Sequence, residues 1–135
     1  MKFLLDTNIC AYLIRKRPPE VLAKFATSEP GDLGISAITR FELLFGAENS
    51  SAPEKNFRLL GDFFLPLEIV EFDSGSAVES AKIRFELKRS PIGPMDLLIA
   101  GQARSLGITL VTNNIREFAR IKDLKLENWV LRKVK

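Results

Sequence analysis

The sequence contains no histidine. That absence removes the usual general base, the usual zinc ligand and every Ser-His or Cys-His nucleophilic arrangement. Catalysis in this chain has to run on carboxylates, lysines or a metal ion. Cysteine is nearly as scarce: a single Cys10 excludes an internal disulfide and a thiolate zinc site, and it reads as a small apolar residue on the first helix. Long apolar runs are missing as well. The longest stretch without a charge, Ser105 to Ile115, is eleven residues, too short to cross a bilayer, and the apolar start meets Asp6 too early for a signal peptide. A cytoplasmic protein with no membrane segment is expected.

What remains is an ordinary globular composition. With 135 residues and 46% hydrophobic content, the chain suits one domain over residues 1–135, burying roughly two-thirds of its unfolded surface. Twenty Lys plus Arg against seventeen Asp plus Glu leaves a formal charge of +3. The excess is compatible with a phosphate-rich partner and, being small, raises that expectation only slightly. No internal repeat or low-complexity segment interrupts the chain.

The chain opens on Phe3-Leu4-Leu5, a continuous apolar run that stops at Asp6-Thr7-Asn8. Continuous rather than alternating hydrophobicity predicts a strand covered on both faces, as in a parallel sheet with helices above and below. Ligands of such sheets bind beyond the carboxyl ends of the strands, so Asp6 stands where chemistry is expected. Its plainer role is to cap the helix from Asn8 to Arg15. Arg15-Lys16-Arg17-Pro18-Pro19 then breaks that helix with a basic cluster, which is either a solvated helix end or a phosphate contact. A second helix is predicted from Pro19 to about Ser28, a turn at Glu29-Pro30-Gly31-Asp32, and a second strand at Leu33-Gly34-Ile35-Ser36.

Ala37 to Glu48 is predicted helical, with Ile38, Phe41, Leu44 and Phe45 forming one apolar stripe and Glu42 on its shoulder. Thr39-Arg40-Phe41-Glu42 matches a capping box, but Ser36, directly after the strand, is the better cap and leaves Glu42 without a structural task. Gly46 is expected to let another backbone approach. Pro53 to Phe64 reads as a helix, Leu67 to Phe72 as a strand, and Asp73 as the cap of a helix from Ala77 to Lys88. Ser90 to Pro94 is a stiff loop feeding a helix from Met95 that is apolar on nearly every side, carries Asp96 in its first turn and ends at Gly107. Ile108 to Thr112 is a further buried strand, ending on Thr112-Asn113-Asn114. Ile115 to Ile121 follows as a short helix, and Trp129 and Val130 as a last edge strand with a basic tail behind it.

Strands alternating with helices make an α/β fold the economical arrangement, a single parallel sheet of about five strands with helices on both faces. Three carboxylates then reach one rim: Asp6 after the first strand, Glu42 on the helix after the second, and Asp96 at the start of the buried helix. At about 4 Å two such charges repel by roughly 4 kcal/mol at an effective dielectric of 20, so a cluster needs a cation or shared protons. Oxygen ligands without His or Cys point to Mg²⁺ or Mn²⁺ rather than zinc or copper.

At these residues the chain resembles the PIN-domain ribonucleases, and most closely the VapC toxins of type II toxin-antitoxin modules, over essentially its whole length. The matching segments are Phe3-Leu4-Leu5-Asp6-Thr7-Asn8-Ile9, Ile35-Ser36 through Glu42-Leu43 to Gly46-Ala47, Pro91-Ile92-Gly93-Pro94-Met95-Asp96-Leu97-Leu98-Ile99-Ala100, and Leu110-Val111-Thr112-Asn113-Asn114 to Phe118. The resemblance implies a PIN-like fold and a Mg²⁺-dependent endoribonuclease, with Mn²⁺ as the alternative metal, acting on structured RNA such as tRNA or an rRNA loop. It also implies a homodimer inhibited by a cognate VapB-type antitoxin. It gives metal-ligand roles to Asp6, Glu42 and Asp96, and supporting polar roles to Thr7, Asn8, Ser36 and Thr112. The family's fourth acidic position is Asn114 here, which leaves a second metal without its usual acid. Asn114 is then expected to orient water, with Glu117 one helical turn further on as an outer acceptor.

Two rival expectations stand beside this one. A non-catalytic RNA-binding or scaffold protein on the same fold would be indifferent to Mg²⁺ and to Asp96→Asn. An aspartyl-phosphate enzyme using Asp6 as nucleophile would need a paired acid, which Asp6-Thr7-Asn8 lacks.

Overall fold

The computed structural model describes residues 1–29 and 31–131; Pro30 of the expected turn and the basic tail at 132–135 lie outside the described residues. The elements run β1 (Phe3–Leu5), α1 (Thr7–Arg15), α2 (Pro19–Thr27), β2 (Leu33–Ser36), α3 (Ala37–Glu48), α4 (Pro53–Phe64), β3 (Glu68–Val70), α5 (Ser74–Glu86), α6 (Pro94–Leu106), β4 (Thr109–Val111), α7 (Ile115–Phe118) and β5 (Leu126–Glu127). All pairings are parallel, in the order β3-β2-β1-β4-β5. The sheet winds outward from β1 through β2 to β3, then restarts on the other side at β4. Asp6 therefore leaves the sheet at the switch point, where the diverging connections open a crevice.

Successive side chains of a strand point to opposite faces, so Leu4 and Leu5 each need a layer of their own. Leu5 packs with Ile35 and Val111 against Ile9, Cys10 and Leu13 of α1, Val21 of α2 and Trp129. Leu4 packs with Leu110 against Ile83 of α5, Ile99, Ala100 and Ala103 of α6, and Phe118 and Ile121. Burying each such side chain contributes about 1.5–3 kcal/mol. The apolar run of β1 thus anchors both helix layers to the strand that carries Asp6.

Helix α6 is seated with unusual closeness. Ile99 to Ala103 are all buried, and a Cβ on Gly101 would lie 3.0 Å from the Cα of Ser80 and collide with its side chain. Gln102 reaches the end of β3, its Nε2 donating to the carbonyls of Val70 at 3.1 Å and Glu71 at 3.0 Å. Gly107, at φ 68°, ends the helix in the left-handed conformation expected of it. Pro94 opens it at the first helical position, so the placement of Asp96 is fixed from both ends.

Several expectations are corrected. The last strand is Leu126–Glu127 and not Trp129–Val130. Trp129 is buried instead, edge-on to Phe3 at 5.9 Å, with its indole N–H donated to Glu127 Oε1 at 2.8 Å; a large ring filling the core mimics a strand former. Helix α5 begins at Ser74, because Asp73 accepts from the Ser76 amide at 2.9 Å and so starts it three residues earlier than read. On α3, Phe41 and Phe45 are 57% and 60% exposed. Its inward face runs instead through Thr39, Leu43 and Ala47, spaced four apart. Gly46 has open space where a Cβ would stand and lines a groove rather than admitting a backbone.

Candidate metal centre

Asp6 is the most committed residue of the rim. It is 4% exposed, and as the N-cap of α1 its Oδ1 accepts from the Ile9 amide at 2.9 Å. Its own amide donates to the Val111 carbonyl at 3.0 Å, which continues the sheet pairing by one residue. Beyond the neighbouring strand, the buried Thr112 side chain stands beside this carboxyl and lowers its pKa, while its hydroxyl accepts from the Asn114 amide at 2.9 Å. The capping role is therefore present in the same side chain that stands, buried, at the rim.

Glu42 reaches the rim from the middle of α3. Thr7, the first residue of α1, donates from Oγ1 to Glu42 Oε1 at 2.6 Å. The hydroxyl of Thr39, one turn before Glu42, is 3.1 Å from that of Thr7. Thr39 is fully buried, where the sequence suggests only half of a capping box. Ser36 has the capping task, accepting from the Ile38 amide at 2.8 Å. What could have flagged Thr39 is its i, i+3 spacing to Glu42, which puts both on one face.

Asp96 stands half-buried in the first turn of α6. There the helix dipole favours its charge by about 0.3–1 kcal/mol. Its pKa nevertheless moves up, through burial first and then the negative charges of Glu42 and Glu117. Even at about 8 Å a like-charged pair costs about 2 kcal/mol at an effective dielectric of 20. Asp6 behaves alike and more strongly. Burial pushes its carboxyl up to about 6, partly offset by the Thr112 and Ile9 hydrogen bonds, with Asp96 and Glu42 adding to the rise.

The supporting residues divide. Asn114 is half-buried at the N-cap of α7, its carbonyl accepting from Phe118 at 3.3 Å, while its side chain makes no capping hydrogen bond. Glu117 is close enough to raise Asp96 but is itself paired with Arg120 at 2.7 Å. Asn8 is exposed on the first turn of α1 and is not drawn into the network. Asp73, read from sequence as a cap, is one: two hydrogen bonds from Ser76 hold its carboxyl below the usual range.

The donor set suits a hard cation. Among the described residues, Asp6, Glu42 and Asp96 have no Lys or Arg partner. The nearby thiol of Cys10 is buried and pushed well up, by desolvation and then by Asp6, so it stays protonated. Among the described residues no three acidic or thiol side chains close on a single point.

Comparison with known proteins agrees with this architecture. The PIN domain family model matches residues 3–124. A tRNA(fMet)-specific endonuclease VapC from Shigella flexneri is 42% identical over 131 residues, 96% of this chain and 98% of that protein. Ribonuclease VapC2 from Haemophilus influenzae is 42% identical over 132 residues, 96% of this chain and 99% of that protein. Among solved structures, DNA-bound VapBC from Salmonella typhimurium contains a chain that superposes with a TM-score of 0.91 at 42% identity, covering 96% of this chain and 99% of that one. VapBC2 from Rickettsia felis gives 0.89 at 39% identity, covering 96% and 100%. On the fold, the rim of carboxylates and these matches together, the chain belongs to the PIN-domain family, in its VapC group.

Proposed function

We propose that this chain is a metal-dependent endoribonuclease, the toxin component of a type II toxin-antitoxin module, acting as one PIN-like unit on structured RNA. The observation that carries the reading is the uncompensated rim: three carboxylates from three elements, without a Lys or Arg partner among the described residues, near enough to the sheet's switch point for Asp96 and Glu42 to raise Asp6 and for Glu42 to raise Asp96. Desolvated, mutually repelling acids are costly to a fold, and they persist where a cation or a reaction uses them.

In this reading Asp6, Glu42 and Asp96 would hold Mg²⁺, one or two of them directly and the rest through its water, with Mn²⁺ as the alternative. When bound, such an ion supplies positive charge to phosphate oxygens and a water more acidic than bulk water. The chain's own residues do the positioning. Asp6 is oriented by the Ile9 amide from which its Oδ1 accepts, with the Thr112 side chain beside it. Thr7 fixes the rotamer of Glu42. Asn114, whose amide group has no capping task, orients water on the substrate side, and Glu117 is an outer acceptor tethered by Arg120.

Structured RNA is the proposed substrate, with initiator tRNA the first to test, since relatives 42% identical are named for cutting tRNA(fMet). The proposed protein partner is a VapB-type antitoxin. An apolar groove of about 250 Å³ between α1, α3 and α4, with Ala11, Ile14, Leu43 and Leu60 in its lining, suits one face of an amphipathic helix. Exposed Phe41 and Phe45 support a homodimer through α3. Among the described residues no helix is long and apolar enough to cross a membrane, and a cytoplasmic location is proposed.

The deciding experiment is cleavage of a tRNA transcript with and without EDTA. Activity lost in EDTA, restored by Mg²⁺ or Mn²⁺, and leaving 5′-phosphate and 3′-hydroxyl ends is expected. Cutting that continues in EDTA, or 2′,3′-cyclic phosphate ends, would remove the metal-hydrolysis reading.

A further inference from the structure

Beside the candidate metal centre a cleft of about 630 Å³ opens between α1, the turn into α2 and the segments that follow β4 and β5. Tyr12 and Asn113 of its lining belong to a small polar lattice. Asn113 Nδ2 donates to the Tyr12 hydroxyl at 3.2 Å, and Asn113 Oδ1 accepts from Asn128 at 3.2 Å. One wall is basic. The Arg15 guanidinium lies over the Tyr12 ring at 5.4 Å, and Lys16, in the left-handed conformation at φ 62°, swings the chain so that the Arg17 amide donates back to the Tyr12 carbonyl at 3.1 Å. This is a Schellman-type helix end built on a lysine where glycine would be easier.

Three successive exposed cations exceed what a helix end needs. Arg15, Lys16 and Arg17 have no acidic partner among the described residues, and the acidic residue of the lining, Glu20, is turned onto the Leu131 amide. The sequence leaves this cluster as a helix end or a phosphate contact; the cleft favours the second.

We infer that the cleft is a subsite for an unpaired nucleotide of the RNA, next to the phosphodiester that is cut. The inference rests on the ribonuclease reading above. Position supports it: Asn113 lies two residues beyond Val111, whose carbonyl accepts from the Asp6 amide, and Tyr12 is six residues along α1 from Asp6, about 9 Å at the helical rise. Chemistry supports it as well. An Asn amide offers two donor hydrogens and two acceptor lone pairs, and the Tyr12 and Asn128 bonds use one of each. The remaining donor and acceptor match the edge of a base, and such edges are open to side chains in single-stranded RNA but hidden in an A-form helix. Arg15 and Arg17 meet the flanking phosphate, and the Tyr12–Arg15 pair offers a stacking surface.

The test measures kcat and KM on an initiator tRNA transcript for Arg17→Ala, Asn113→Ala, Tyr12→Phe and Tyr12→Leu. In parallel, the same changes are made in an Asp96→Asn background, and binding of a labelled single-stranded RNA is followed by anisotropy across a salt series. Arg17→Ala is expected to raise KM at least five-fold with kcat within two-fold, and to reduce the slope of log Kd against log salt by about 1. Asn113→Ala should change which positions are cut. Tyr12→Phe should fall between the parent and Tyr12→Leu. Arg58→Ala, on α4 away from the cleft, should match the parent. If the parent cleaves and Arg17→Ala and Asn113→Ala keep its KM, salt slope and cutting pattern, the subsite is overturned alone. Loss of antitoxin binding with KM unchanged would overturn it too, assigning the cleft to a protein. A parent that neither binds nor cuts RNA overturns the ribonuclease reading and the subsite with it.

Discussion

The hydroxyl of Thr7 donates to Oε1 of Glu42 across 2.6 Å, tying the first residue of α1 to the middle of α3. Removing the donor while keeping the shape, as Thr7→Val, should loosen Glu42 and weaken Mg²⁺ by about 10-fold or more, the usual cost of losing an outer-shell partner. Thr7→Ser should retain most of the affinity. A Mg²⁺ titration of cleavage rate for the two variants checks this, and equal midpoints would make the contact merely structural.

Asp6 predicts how the metal-free protein responds to pH. Its carboxyl is raised from 3.8 to about 6 in the fold, so the folded state holds this proton more tightly than the unfolded chain does. Stability is therefore highest below the unfolded pKa and falls as pH rises through the window from about 4 to 6, by about 3 kcal/mol at most. Asp96 adds in the same direction. In EDTA the melting temperature at pH 7 should lie below that at pH 5, and Asp6→Asn, which keeps a good N-cap, should narrow the gap. The same gap in both proteins would show that burial of Asp6 is offset elsewhere.

Function and stability should separate at Asp96. Asp96→Asn is expected to abolish cleavage, to leave the apo protein as stable as the parent or more so, and to lose the melting-temperature rise that Mg²⁺ gives by mass action. Calorimetry with and without Mg²⁺ reads all three. An unfolded Asp96→Asn protein would leave this residue a purely structural role in the first turn of α6.

At Asn114 the expected acid is replaced by an amide. Restoring it, as Asn114→Asp, should strengthen metal binding, whereas Asn114→Ala should cut turnover more than RNA affinity and Glu117→Gln should have the smaller effect. Rates against Mg²⁺ concentration decide the order. An Asn114→Ala enzyme with the parent's rate would show that the residue serves only through its backbone, which already accepts from Phe118.

A structural prediction concerns Gly101. Its Cβ position runs into Ser80 of α5, both side chain and backbone, so Gly101→Ala should destabilise by about 1–3 kcal/mol as an overpacked core does. Urea unfolding measures it. If Ser80→Gly restores part of the loss in the double variant, the clash and not helix propensity is responsible.

The expected outline of the fold rested on a few strong local signals. A continuous apolar run at Phe3-Leu4-Leu5, the helix spacing after it, Gly107 and the prolines at first helical positions carry their structure in neighbouring residues. The α/β class, the parallel sheet and the buried α6 followed from them. The errors fall where local pattern and tertiary context disagree. Phe41 and Phe45 look like core and face outward, while Thr39 looks polar and is fully buried. Trp129 looks like a strand and packs as a core ring. A stripe of large apolar residues does not say whether the surface it covers belongs to its own chain or to another molecule.

The candidate site divides in the same way. With no histidine to turn to, the sequence itself determined that any chemistry must use carboxylates, and their places after strands and at a helix start put Asp6, Glu42 and Asp96 on one rim of a parallel sheet. Only the tertiary structure decided which hydroxyl holds which acid, that Asp6 is desolvated enough to be pushed up to about 6, and that Tyr12, Asn113 and Asn128, up to 116 residues apart in the chain, share one lattice. The reason is physical: spacing along a helix or strand reports direction within an element, whereas a hydrogen bond, a buried charge or a cleft depends on separations between elements that no local pattern contains.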